Sequence, residues 1–158
     1  MTSLSFDVIH ALYGRTVATA ESCTGGLIGG ALTSVEGSSA VYKGGVISYT
    51  NSVKEAVLGV NPQILSAYGA VSSQTAQAMA FGVRELLHSD FAVSTTGLAG
   101  PGGDDFGNPV GTVYIGIAGD FGVFSKHYIF DGEREQVRKQ AVEAALKLLL
   151  DKIKEYSH

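Results

Sequence analysis

Three short polar segments hold the side chains best suited to chemistry: Glu21-Ser22-Cys23-Thr24-Gly25-Gly26, Ser48-Tyr49-Thr50-Asn51-Ser52-Val53-Lys54, and the glycine-rich run from Thr96 to Gly103. A serine ahead of a Gly-Gly pair at a tight turn sits close to a helix N-terminus. Unpaired backbone N–H groups there can stabilise an oxyanion or hold a phosphate. A plain helix cap is the other role open to Ser22. The turn has neither the GxGxxG spacing of dinucleotide sites, nor the lysine of a phosphate loop, nor a G-x-S-x-G elbow.

A nucleophilic serine needs a base. The four histidines, His10, His88, His127 and His158, suit surface or packing roles. Lys54 is the better candidate, one turn into a helix beside the strand end that carries Ser48 and Tyr49. It can serve if burial or the positive helix end lowers its pKa toward about 7–8. An exposed lysine paired with a carboxylate is the alternative. Cys23 is a rival nucleophile, because a thiol at a helix N-terminus is acidified. Asp104 and Asp105 offer carboxylates to a divalent cation or simply to solvent. Arg134 and Arg138, spaced i, i+4, can meet an anion or lie on a solvated face with Glu133 and Glu135.

The β-prone runs Thr16–Ala20, Gly44–Thr50 and Phe91–Thr96 lead into these three segments: TVATA stands before ESCTGG, GVIS before YTNSVK and FAVST before TGLAGPGG. In α/β sheets the ligand crevice lies beyond the carboxyl ends of the strands, so parallel strands would bring all three segments to one edge. Two further runs, TVYIGIAG and FGVFSKHYIF, predict a hairpin through Gly119-Asp120. Helices are expected over Ser5–Tyr13 with Ser5 as cap, over Leu27–Val35, and after Asn51 as cap. More are expected after Pro62 as far as Gly69, and from a Ser72 or Ser73 cap with Ala76, Met79, Ala80, Val83 and Leu87 inward. The last, capped by Asp131, turns Val137, Ala141, Ala144, Ala145, Leu148 and Leu149 to the core. Interleaved helices and strands with one hairpin predict an α/β domain on a mixed sheet.

The 158 residues, 45% apolar and 16% charged, suit one domain over residues 1–158 that buries roughly two thirds of its surface. The 21 glycines cluster between apolar runs, which excludes collagen-like material. One cysteine can form neither an intramolecular disulfide nor a thiolate zinc site, and scattered histidines argue against a metal. A net charge of −4 lacks the footprint of a nucleic-acid binder. No apolar run approaches the roughly 20 residues of a membrane span, and the N-terminus lacks the basic start of a signal peptide. A cytoplasmic protein is expected, with neither nucleic-acid nor membrane partners. Small-residue apolar surfaces make a homo-oligomer the expected assembly.

TVATAESCTGG, GSSAVYKGGVISYTNSVKEAVLGV, YGAVSSQTAQAMA, TTGLAGPGG, PVGTVYIG and FDGEREQVRKQA, in that order, resemble the C-terminal domain of the CinA competence/damage-inducible family. The resemblance runs from about residue 5 to 150. It implies a three-layer α/β/α sandwich with a mixed, mostly parallel sheet and no cofactor. The activity it implies is hydrolysis of the carboxamide of nicotinamide mononucleotide, a small-molecule nucleotide substrate, to nicotinic acid mononucleotide and ammonia. By motif, the nucleophile falls on Ser22, its lysine partner on Lys54, the helping hydroxyl on Tyr49 and a pocket contact on Thr96. Around these, the Cys23, Thr24, Gly25 and Gly26 turn is the expected oxyanion site, Ser48 lies at the strand end, and Arg134 is the expected phosphate anchor. Longer members carry a further N-terminal domain related to molybdopterin-binding proteins, which these residues do not include. The alternative function is a non-catalytic nucleotide-binding or regulatory module.

Overall fold

The computed structural model describes residues 2–156, so His158 lies outside it. The chain runs α1 (Thr2–Ala11), β1 (Val17–Glu21), α2 (Leu27–Thr33), a 3-10 turn (Ser38–Ala40), β2 (Tyr42–Ile47), α3 (Asn51–Leu58), α4 (Pro62–Tyr68) and α5 (Ser73–Leu87). It continues through β3 (Phe91–Gly97), β4 (Thr112–Gly119), β5 (Gly122–Ile129) and α6 (Arg134–Glu155). The five strands form one sheet in the order β2-β1-β3-β4-β5. β1 pairs in parallel with β2 and β3, while β4 is antiparallel to both β3 and β5. Four strands therefore point one way and β4 alone is reversed, giving the mixed, mostly parallel sheet of a three-layer α/β/α sandwich.

Strand alternation sorts the core into two unequal faces. Val17, Phe91, Val93, Ile115 and Ile117 face Val8, Leu12, Ile28, Leu32, Leu146 and Leu149 of α1, α2 and α6. The opposite face carries Ala18, Ala20, Ala92 and Ala118 against Leu58, Leu65, Met79, Ala80 and Val83 of α3, α4 and α5. Small residues let α5 approach the sheet closely. At Gly116 a Cβ would stand only 2.4 Å from the carbonyl oxygen of Ala76, and Ser94 Oγ donates to that same oxygen at 2.6 Å. Among the described residues no helix is long and apolar enough to cross a membrane.

Several boundaries differ from those expected. α1 already includes Ser5, which is buried inside it and not a cap. α2 ends at Thr33, and β2 begins at Tyr42 and ends at Ile47, leaving Ser48 and Tyr49 in the following turn. The cap of α3 is Thr50, whose backbone is extended, and Asn51 is the first helical residue. Glu133, not Asp131, caps α6: its side chain accepts from the amide of Gln136, while its own amide donates to Gln136 Oε1 at 2.7 Å. Gly132, in the left-handed region at φ 110°, separates Asp131 from the helix start. Ser72 is the cap of α5, accepting from the Thr75 amide at 3.1 Å. The hairpin turns through Asp120-Phe121, closed by the Gly119–Gly122 pair.

Candidate active site

Strand register builds the site. Glu21 pairs with Ile47 of β2 and with Thr95 of β3, so the next residues, Ser22, Ser48 and Thr96, emerge level at one sheet edge. The Ser22 amide donates to Thr95 O at 3.0 Å and the Ser48 amide to Glu21 O at 2.7 Å, which ties the three strand ends together. β1 lies between its successor β2 and the later β3, so this edge is also where strand order switches, the usual place for a ligand crevice. A cleft of about 260 Å³ opens there, lined by Ser22, Cys23, Tyr49, Asn51, Lys54, Ala70, Val71, Thr96–Ala99 and Arg134.

Lys54 is 1% exposed and leads, with Leu58 at i+4, the inward stripe of α3. Its Nζ donates to Ser22 Oγ at 3.0 Å, to Ser48 O at 2.7 Å and to Tyr49 O at 3.4 Å. Three acceptors match the three protons of an ammonium. Burial pulls its pKa from the ordinary 10.5 down to about 8, against a small opposing effect of Cys23. Desolvation, and not the helix end, is the cause. The neutral amine can keep both carbonyl contacts and turn its lone pair to the Ser22 hydroxyl, so the geometry serves either protonation state.

The turn after Ser22 is organised by Glu21, a residue whose role the sequence did not expose. Its carboxylate, 2% exposed, accepts from Thr24 Oγ1 at 2.6 Å and from the amides of Gly26, Ile28 and Gly29 at 3.2, 2.9 and 3.0 Å. An acid next to a helix start is the signal that could have found it. The N-terminus of α2 is thus filled by the chain's own anion and is not an open phosphate site. Gly26 carries no spare donor, and the Gly25 amide is spent on Ser22 O at 3.1 Å. Among the described residues the amides of Cys23 and Thr24 remain without a hydrogen-bond acceptor, apart from the contact of the Cys23 amide with its own thiol. The expected Cys23–Gly26 oxyanion site narrows to its first two residues.

Cys23 itself is not acidified. Burial among the core residues raises the thiol to about 11, because the thiolate would be desolvated. Thr24 faces inward, its hydroxyl shared between Glu21 and Thr95. Thr96 lines the cleft, yet its hydroxyl donates to Ala70 O at 2.7 Å. Tyr49 is 59% exposed and reaches Lys54 through its carbonyl; its hydroxyl accepts from Arg134 Nη2 at 3.0 Å. Arg134 also donates to Gly100 O at 2.9 Å, which sets a cation on the rim. Asp104 binds its own loop through Phe106 and Asn108. His10 stacks on Phe6 and His127 on Tyr114.

The sequence profile of the CinA C-terminal domain matches residues 3–153. A CinA-like protein of Thermosynechococcus vestitus is 51% identical over 138 residues, which are 85% of this chain and 33% of that protein. A CinA-like protein of Frankia casuarinae is 48% identical over 149 residues, 93% of this chain and 34% of its own. The chain spans about a third of the length of these relatives. Among solved structures, competence damage-inducible protein A of Klebsiella pneumoniae superposes with a TM-score of 0.96 at 34% identity, covering 99% of this chain and 98% of its own. A competence/damage inducible protein of Agrobacterium tumefaciens gives 0.90 at 42% identity, covering 95% and 93%. This chain belongs to the CinA C-terminal domain family.

Proposed function

We propose that the chain is a Ser–Lys hydrolase of linear carboxamides and that its substrate is nicotinamide mononucleotide. The observation that carries this is the 3.0 Å contact between Lys54 Nζ and Ser22 Oγ, inside a cleft and with no carboxylate partner among the described residues. Neutral Lys54 takes the Ser22 proton as Oγ attacks the carboxamide carbon. The oxyanion forms against the Cys23 and Thr24 amides; one such donor is typically worth about 3–4 kcal/mol. Protonated Lys54 gives its proton to the amide nitrogen, the C–N bond breaks and ammonia leaves. Water, deprotonated by Lys54, then attacks the acyl-enzyme, releasing the carboxylic acid and Ser22.

The nucleotide part of the substrate has room and charge. A second depression of about 390 Å³, lined by Ala99, Gly100, Pro101, Val110, Gly132, Glu133 and Arg134, adjoins the first through Ala99 and Arg134. Together they fall in the usual range of roughly 300–1,000 Å³ for small-ligand sites. Arg134 stands between the two lobes, positioned for a phosphate. Ammonia release from nicotinamide mononucleotide by wild type, Ser22→Ala and Lys54→Ala tests the proposal. Turnover lost in both variants supports it; binding without turnover by wild type would favour a non-catalytic module.

A further inference from the structure

Arg138 takes no part in the steps above, yet it is tied to the turn that must supply the oxyanion donors. Its half-buried guanidinium donates from Nε to Cys23 O at 3.0 Å and from Nη2 to Thr24 O at 3.5 Å. In a trans peptide the N–H points opposite to the C=O. Holding the Cys23 and Thr24 carbonyls toward α6 therefore turns the Thr24 and Gly25 amides away from it. The Gly25 amide is then seated on Ser22 O at 3.1 Å, which fixes the plane of the Ser22–Cys23 peptide and the direction of the Cys23 amide. Gly25 makes this approach possible: its φ is 57°, and a Cβ there would lie 3.2 Å from Arg138 Nη2.

Resting on the Ser22–Lys54 hydrolase proposed above, we infer that Arg138 is a positioning residue that holds the Ser22–Gly25 turn in its donor-presenting form. Its positive charge, set against the oxygen ends of these peptides, also strengthens their N–H ends as donors. The oxyanion exists only along the reaction, so the contribution falls on kcat and not on substrate binding.

The test is steady-state ammonia release by Arg138→Gln and Arg138→Lys, with folding followed by circular dichroism and urea unfolding. Arg138→Gln is expected to lower kcat roughly 30- to 100-fold with KM changed less than about twofold and the midpoint of the pH profile unmoved. Arg138→Lys, which keeps the charge but not the fork, is expected to lose about five- to tenfold. Added guanidinium ion should restore part of the kcat of Arg138→Gln. Gly25→Ala, which crowds the guanidinium, should lower the same parameter, and its effect should be non-additive with that of Arg138→Gln.

A folded Arg138→Gln protein whose kcat stays within about threefold of wild type, or whose loss lies in KM alone, would overturn the inference. A fluorophosphonate probe for Ser22 separates this from failure of the substrate assignment. Wild type labelled at Ser22 without turning over the nucleotide would discard the substrate; an at least tenfold slower labelling of Arg138→Gln would still support the role of Arg138, and equal labelling would reject it. Wild type neither labelled nor active would overturn both.

Discussion

Glu21 and Lys54 are the buried acid and the buried base of the site, 2% and 1% exposed, and they are held in opposite ways. Among the described residues neither is in a salt bridge; the ones found, Lys147–Asp151 and Lys152–Glu155, lie along α6. Glu21 collects four donors from its own turn, three of them amides of the α2 start. Those amides have no other acceptor, so the carboxylate is part of the scaffold. Lys54 rests on two carbonyls and a hydroxyl, all neutral. These groups stabilise its charge only in part, and they accommodate the amine once the proton has gone. A buried charge that completes a helix end is structure, whereas one held by partners indifferent to its proton is fitted for acid–base work.

The sharpest way to break this comparison is to remove each charge. Ser22→Ala and Lys54→Met are each expected to lower kcat about 10⁴-fold in the ammonia assay. In urea unfolding at pH 7 the two buried charges should separate. Lys54→Met is expected to gain about 1–3 kcal/mol, since a desolvated ammonium gives way to a side chain of similar length. Glu21→Gln is expected to lose about 2–3 kcal/mol, since its amide group cannot satisfy the same donors. Equal signs would abolish the distinction.

A smaller but more specific effect lies in the pH dependence. kcat/KM should rise with pH and level off above about 8, the folded pKa of Lys54. Unfolded, Lys54 has its ordinary value of 10.5, so between about 8 and 10.5 the unfolded chain holds more protons and stability from this group increases with pH. That rise should be missing in Lys54→Met, as read from urea midpoints across the window.

Next in size, Arg134→Ala is expected to raise KM for the nucleotide about tenfold with kcat nearly unchanged, as for loss of a phosphate contact. The smallest effect belongs to Cys23. With its thiol raised to about 11, Cys23→Ala should keep activity within about threefold, and iodoacetamide at pH 7.5 should barely modify the wild-type protein. Rapid alkylation with loss of activity would return Cys23 to candidacy as the nucleophile.

Much of this was legible in the chain itself. Alternating strands, amphipathic helices and polar segments placed after strands predict the layered sheet and a site at one edge. They also mark Ser22 and Lys54 as candidates, because a residue's type and its place near a strand end are local facts. A plain cap or an exposed ion pair stays open for each, and the roles of Ser22, Lys54, Tyr49 and Arg134 come only with the family resemblance. Helix starts proved less legible at Thr50 and Glu133, where the choice among adjacent capping residues turns on backbone angles and not on residue type.

What tertiary structure alone decided is which atoms meet. Register between β1, β2 and β3 sets the strand ends level, and Lys54 is buried against Ser22 and Ser48 at those ends, where burial depresses its pKa. Folding spends the α2 amides on Glu21, moves the Tyr49 hydroxyl to Arg134, and brings Arg138 across 115 positions to the Cys23 carbonyl. Desolvation and hydrogen-bond choice depend on the whole surroundings of a group, and most of those surroundings are far away in the sequence.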